Sequence, residues 1–258
     1  MADIFVSPKW LEEHRDDVHV VDVRNDWDYE DGHIPGAVNV PFDSFRSASN
    51  DVEGKLPTAE TFGSLLSEAG ISPGHAIVAY DNECGVYASR FLVTAEVFGH
   101  CRANLFVLNG DYSAWADDRP VSTETPTTEP LAYSCERDED DPIVSAAELE
   151  AALDTDAVIV DTRDPVEYDT VHLPGAINFQ WTDLVDDTRG RLESRDRCRE
   201  ILADAGITLD RPVRLYCNTA RRLSFVYAVL RELGHDDVAF YEGGIDAWSK
   251  YGGRVETS

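Results

Sequence analysis

Two stretches of this 258-residue chain are copies of one another, and that repeat limits the folds open to it. Val21-Asp22-Val23-Arg24 returns as Val160-Asp161-Thr162-Arg163. His33-Ile34-Pro35-Gly36-Ala37-Val38-Asn39 returns as His172-Leu173-Pro174-Gly175-Ala176-Ile177-Asn178, and Tyr29 returns as Tyr168. All of these stand 139 residues apart, and chance agreement at so many positions in one register is negligible. Gly99-His100 and Gly234-His235, then Ala114-Trp115 and Ala247-Trp248, repeat at slightly shorter offsets. The period is far too long for a solenoid unit, so the chain holds two copies of one domain.

The expected division is a first domain over residues 1–122, a linker over 123–142 and a second domain over 143–258. The linker is rich in Pro, Thr, Glu and Asp and has no apolar period; a short strand is expected at Leu131-Ala132-Tyr133. In the second copy, Ala157 to Asp161, Ala176 to Phe179, Val213 to Tyr216 and Val238 to Tyr241 read as buried strands. Ser145 to Leu153 reads as a helix with Ser145 and Glu148 as a capping box. Helices are also expected over Arg195–Ala205, stopped by Gly206, and Leu223–Leu233, stopped by Gly234. Strands alternating with helices imply an α/β fold in each copy: a mostly parallel central sheet flanked by helices. Ligands of such sheets sit at the carboxyl ends of the strands.

Cys217 stands at such an end. The apolar strand Val213-Arg214-Leu215-Tyr216 runs into Cys217, followed by Asn218, Thr219, Ala220, Arg221 and Arg222 and then a helix. Backbone N–H groups converge where a strand turns into a helix, and the helix dipole favours negative charge there. Arg221 and Arg222 add positive charge, so three effects favour a thiolate over a thiol. The bland alternative is a buried, inert cysteine, the commoner fate of a free thiol. The active reading requires the Cys217 side chain to face those donors and to be reachable from solvent.

Composition narrows the setting. Fifty Asp and Glu face 22 Lys and Arg, a net charge of −28, and only Lys9, Lys55 and Lys250 are lysines. Such a surface repels nucleic acid and anionic membranes, so neither is expected as a partner. Scarce Lys with abundant Asp resembles proteins of salt-loving archaea, in which dense salt screens the self-repulsion. The five cysteines are odd in number, widely spaced and without a CxxC pair, which argues against a zinc site and a disulfide framework. No basic stretch and apolar run open the chain, and no window is apolar enough to span a membrane, so a reducing cytoplasmic location is expected.

The Asp22-x-Arg24 and Gly32-His33-Ile34-Pro35-Gly36-Ala37-Val38-Asn39 pattern resembles the opening motif of rhodanese domains, and the second copy carries its counterpart. Glu242-Gly243-Gly244-Ile245-Asp246-Ala247-Trp248 resembles their closing motif. The resemblance spans nearly the whole chain and implies two rhodanese-like domains, arranged as in tandem thiosulfate sulfurtransferases. It implies that Cys217 takes a sulfane sulfur from a donor and passes it to a thiophilic acceptor such as cyanide or a thiol. Asn218, Thr219, Ala220, Arg221 and Arg222 would be the substrate cradle. No cofactor and no metal are implied. The partners are a small-molecule sulfur donor and acceptor, with a sulfur-accepting protein as a further candidate. Related phosphatases place an Arg six residues after the Cys; here that position is Leu223, so phosphatase chemistry ranks low.

Some residues depart from the pattern. Tyr80-Asp81 stands where the second copy has Tyr216-Cys217, and a carboxylate cannot carry a persulfide, so the first domain is expected to be inactive. Cys84 lies in the same loop beside Glu83 and reads as a bystander. Ala220 stands where the loop often has Gly, and Glu167 where thiosulfate-specific members often have Arg. The loop also lacks the sequence of mercaptopyruvate-using relatives. Thiosulfate therefore stays ahead of mercaptopyruvate as donor, by a small margin. A sulfur-relay module with little thiosulfate turnover is the alternative. Asp22, Asp161, Arg24 and Arg163 are expected to form structural ion pairs, His33 and His172 to be structural, and Trp115 and Trp248 to anchor the two cores.

Overall fold

The computed structural model describes residues 3–47, 55–138, 140–186 and 188–257. The first copy comprises β1 (Phe5–Val6), α1 (Pro8–His14), β2 (Val18–Asp22), α2 (Asp26–Asp31), β3 (Val38–Asn39), α3 (Ala59–Glu68), β4 (Ala76–Tyr80), α4 (Val86–Val97), β5 (Leu105–Leu108) and α5 (Asp111–Ala116). The second comprises α6 (Ala146–Ala152), β6 (Val158–Asp161), α7 (Pro165–Thr170), β7 (Ile177–Asn178), β8 (Val185–Asp186), β9 (Arg191–Leu192), α8 (Arg195–Asp204), β10 (Val213–Tyr216), α9 (Arg221–Glu232), β11 (Val238–Tyr241) and α10 (Gly244–Tyr251).

Both main sheets are parallel throughout, in the orders β1-β5-β4-β2-β3 and β11-β10-β6-β7. Where the first sheet has β1, the second keeps one parallel bridge, Ile143 to Phe240. The antiparallel pair β8–β9 forms a separate hairpin. The motif residues hold equivalent places. Arg24 grips Asp22 and the Gly32 carbonyl, and Arg163 grips Asp161 and the Val171 carbonyl, so these arginines are spent on structure. His33 and His172 stack on Tyr29 and Tyr168 with ring centroids 3.9 Å apart in both copies. Trp115 and Trp248 are buried, their indole N–H groups donating to Pro120 and Arg254 carbonyls.

The two copies share one apolar core. Every residue of α4 except Tyr87 is buried, because the helix packs on its own sheet and against α9 of the other copy. Phe5 meets Phe225 edge-on, and Tyr227 donates to the buried Glu96 at 2.6 Å. Tyr87 near the start of α4 touches Arg221 at the start of α9, while Glu96 near the end of α4 touches Tyr227 further along α9. The helices therefore run side by side in the same sense, and the loops that precede them open on one side of the molecule.

The expected helix at Ser145 forms as α6 with its capping box in place. The expected strand at Leu131–Tyr133 does not form. That segment lies along the first domain with the Leu131 amide on the Ser67 carbonyl and Tyr133 against His100, and a helix end offers no strand edge to pair with. Glu139 of the expected linker lies outside the described residues.

Candidate active site

Strand β10 is flanked by β6 and β11, so Cys217 emerges at the carboxyl end of a central strand. The helix after it starts at Arg221, two residues earlier than expected, leaving a loop of Cys217, Asn218, Thr219 and Ala220. Ala220 makes the turn in the left-handed region, at φ 57° and ψ −6°. That conformation strains a residue with a Cβ by roughly 1–2 kcal/mol, and its neighbours hold it there: its methyl is buried, and its carbonyl accepts from the Ser224 amide and hydroxyl.

The loop points its donors inward. The Thr219 amide donates to Cys217 Sγ at 3.4 Å, and the Thr219 hydroxyl lies 3.8 Å from the same sulfur. The amides of Arg221, Arg222 and Leu223 open α9, where a helix has no carbonyl of its own to offer them. The first copy shows what such a set of amides does. Asp81, the counterpart of Cys217, accepts four of them: Glu83 and Gly85 on Oδ1 at 2.9 and 2.8 Å, Tyr87 and Ala88 on Oδ2 at 2.8 and 2.9 Å. Burial outweighs the amides of Ala88, Glu83 and Gly85, which favour the charged form, and the Asp81 carboxyl is pushed up to about 6. The strand–loop–helix corner of the first copy thus converges four amide donors on the chain's own carboxyl group.

The two arginines divide their roles. Arg221 turns to the first domain, donating to the Tyr87 hydroxyl at 2.6 Å with its guanidinium 5.2 Å from the ring centroid. Arg222 places one terminal nitrogen 3.0 Å from Asp164 and the other 2.9 Å from Glu167. Its Nε is buried and has no hydrogen-bond partner. Burial opposes the Arg222 charge, while the Cys217 sulfur and the Glu167 and Asp164 carboxylates raise its pKa.

Asn218 straps the loop to both sides. Its Nδ2 donates to Glu167 Oε1 at 2.7 Å, and its Oδ1 accepts from the Ile245 amide at 3.2 Å. Gly244, at φ +65°, lets α10 come this close: a Cβ there would lie 3.1 Å from Asn218 Oδ1. Strapped in this way, Cys217 faces its donors but exposes no surface. This departs from the expected solvent-reachable thiol: packing of the loop closes over the sulfur.

Asp164, Glu167, Ile245 and Tyr87 were missing from the expected cradle. Glu167 carries the one local signal, since Asp164-Pro165-Val166-Glu167 is itself a capping box that holds the carboxylate at the head of α7. Cys84 is half-buried at φ 57° in a loop one residue longer than that of the second copy. All five cysteines are free, and no group of metal-ligating side chains occurs among the described residues.

A sheet duplicated in this form, with a cysteine at one strand–loop–helix corner and an aspartate at the other, defines a tandem-domain α/β protein. The model of the rhodanese-like domain matches residues 7–118 and again 145–251, and the chain belongs to the rhodanese family. It is 34% identical to a thiosulfate sulfurtransferase of Pseudomonas aeruginosa, over 92% of this chain and 89% of the relative. A Haloferax volcanii relative is 29% identical over 98% of this chain and 94% of its own length. The crystal structure of a 3-mercaptopyruvate sulfotransferase from Escherichia coli superposes with a TM-score of 0.84 at 25% identity, covering 94% of this chain and 99% of that one.

Proposed function

We propose that the second domain transfers sulfane sulfur through a persulfide on Cys217, with the first domain as an inactive partner that helps position Arg221. The Cys217 thiol first gives its proton to solvent. The thiolate attacks the outer sulfur of thiosulfate; the S–S bond breaks and sulfite leaves with the electron pair. Cyanide or a thiolate then attacks the outer sulfur of the persulfide, and the Cys217 thiolate leaves in turn. Cys217 and the Asn218–Arg222 segment do the work, and no cofactor enters. The observation that carries this reading is the Asp81 carboxylate held by four amides at the corner where the second copy places Cys217.

The test is conversion of thiosulfate and cyanide to thiocyanate in high salt. Cys217→Ser should abolish it and Cys84→Ser should leave it, and a one-sulfur mass increase should map to Cys217. Full activity in Cys217→Ser overturns the assignment. A second reading, a sulfur relay with little thiosulfate turnover of its own, is favoured by the unexposed thiol and by the two carboxylates on Arg222. Transfer from loaded Cys217 to an acceptor protein would distinguish it. The five free cysteines and the charge of −28 support a reducing, salt-rich cytoplasm as the working environment. Among the described residues, no helix is long and apolar enough to cross a membrane.

A further inference from the structure

The charges around Cys217 cancel. Arg222 brings one positive charge and meets two negative ones, Asp164 and Glu167. Among the described residues, Arg221 pairs with a phenol rather than a carboxylate. Arg163 is spent on Asp161, and Arg90 of the first domain on Glu242. An anion at the loop therefore meets amide dipoles but no net charge, and one carboxylate decides this balance. Glu167 accepts from Asn218 with one oxygen, and from Arg222 and the Asp164 amide with the other. It is one-third exposed, so it stands at the loop's surface. Burial works against its charge, but the Asp164 amide and Arg222 hold its pKa below the ordinary carboxylate range, so it is ionised at neutral pH.

Resting on Cys217 as the sulfur carrier, we propose that Glu167 is the specificity-determining residue for the donor. It withholds the Arg222 cation from dianionic thiosulfate and suits the site to a sulfane donor of low net charge, such as the persulfide of an aminothiol. In such a donor the outer sulfur passes to the Cys217 thiolate and the aminothiol leaves as its thiolate, so atoms and electrons balance as before. The partially buried contacts between Glu167 and Arg222 survive high salt, whereas the field of the exposed acidic surface is screened within ~3 Å at 1 M. The discrimination therefore persists in the salt that removes the general repulsion.

The experiment compares wild type, Glu167→Gln and Glu167→Asp with three donors: thiosulfate, monoanionic benzenethiosulfonate and zwitterionic cysteamine persulfide, with cyanide as acceptor in 1 M salt. Glu167→Gln should raise the ratio of kcat/KM for thiosulfate to that for cysteamine persulfide by about tenfold, the size expected of one unit charge at short range. Benzenethiosulfonate should fall between. Glu167→Asp keeps the charge while shortening its reach and should leave the ratio within about twofold of wild type. A loss of loop order alone would shift all donors together and leave the ratio unmoved. An unchanged ratio in Glu167→Gln, or an equal shift in Glu167→Asp, overturns the proposal while mapped persulfide on Cys217 still upholds the carrier assignment. If no donor loads Cys217 in any of the three proteins, the carrier assignment fails and the proposal with it.

Discussion

Replacing Asp81 by alanine removes the acceptor at the first corner and leaves every residue of the second loop in place. Four amides, those of Glu83, Gly85, Tyr87 and Ala88, lose the oxygen they donate to. A buried donor left without an acceptor costs about 1–3 kcal/mol. A cavity of about 290 Å3 adjoins Asp81, so water enters and satisfies part of the set. The expected loss is therefore about 3 kcal/mol rather than the sum of four full penalties. An inorganic anion should then restore what the carboxylate supplied. An anion at a hundred times its dissociation constant returns about 2.7 kcal/mol. The assay is urea unfolding of wild type and Asp81→Ala at constant ionic strength, with sulfate replacing a bulky organic anion. Sulfate stabilises most proteins by exclusion, and the comparison with wild type cancels that effect. If Asp81→Ala stays within about 0.5 kcal/mol of wild type, or sulfate stabilises both proteins equally, the corner is no anion cradle and the Cys217 reading loses its support.

Other consequences can be checked on the same material. The folded-state pKa of Asp81, about 6, lies above its unfolded value of 3.8, so the native state takes up a proton first as pH falls. Wild type should then gain stability relative to Asp81→Asn between pH ~6 and ~4, by up to about 3 kcal/mol in paired denaturation curves; a loss over that window would mean that the amides outweigh burial. Gly244→Ala places a methyl against Asn218 at a positive φ, and should lower stability by about 1–2 kcal/mol and weaken the strap that holds the loop, read as a faster reaction of Cys217 with a thiol reagent.

Much of the fold is legible along the chain because its signals are local. Val213–Tyr216 and Val238–Tyr241 are short apolar runs between turn residues, and both strands have the expected bounds. The Ser145 cap binds within its own first turn. The start of α9 was not legible, because it depends on Ala220 adopting a conformation its side chain disfavours, which only the surrounding packing enforces. Nor was the pairing of the cations. Arg221 and Arg222 look alike in sequence, but Arg221 meets a tyrosine 134 residues away and Arg222 a glutamate 55 residues away. Contacts of that range leave no periodic trace.

The duplication explains why two nearly identical corners do different things. Both present amides to whatever side chain follows the central strand. An aspartate there brings two oxygens that between them accept from four amides, so the corner binds itself. The Cys217 sulfur is a softer atom that accepts from one amide, at 3.4 Å, and leaves the first-turn amides of α9 without a side-chain acceptor from it. The Arg222 Nε, buried and without a hydrogen-bond partner, is a further donor left over in the same loop. On the proposed persulfide route, these leftover donors are what an added sulfur would meet. Asp81→Cys would not reproduce them, because the first loop is one residue longer and its helix opens on Val86 and Tyr87 where α9 opens on Arg221 and Arg222.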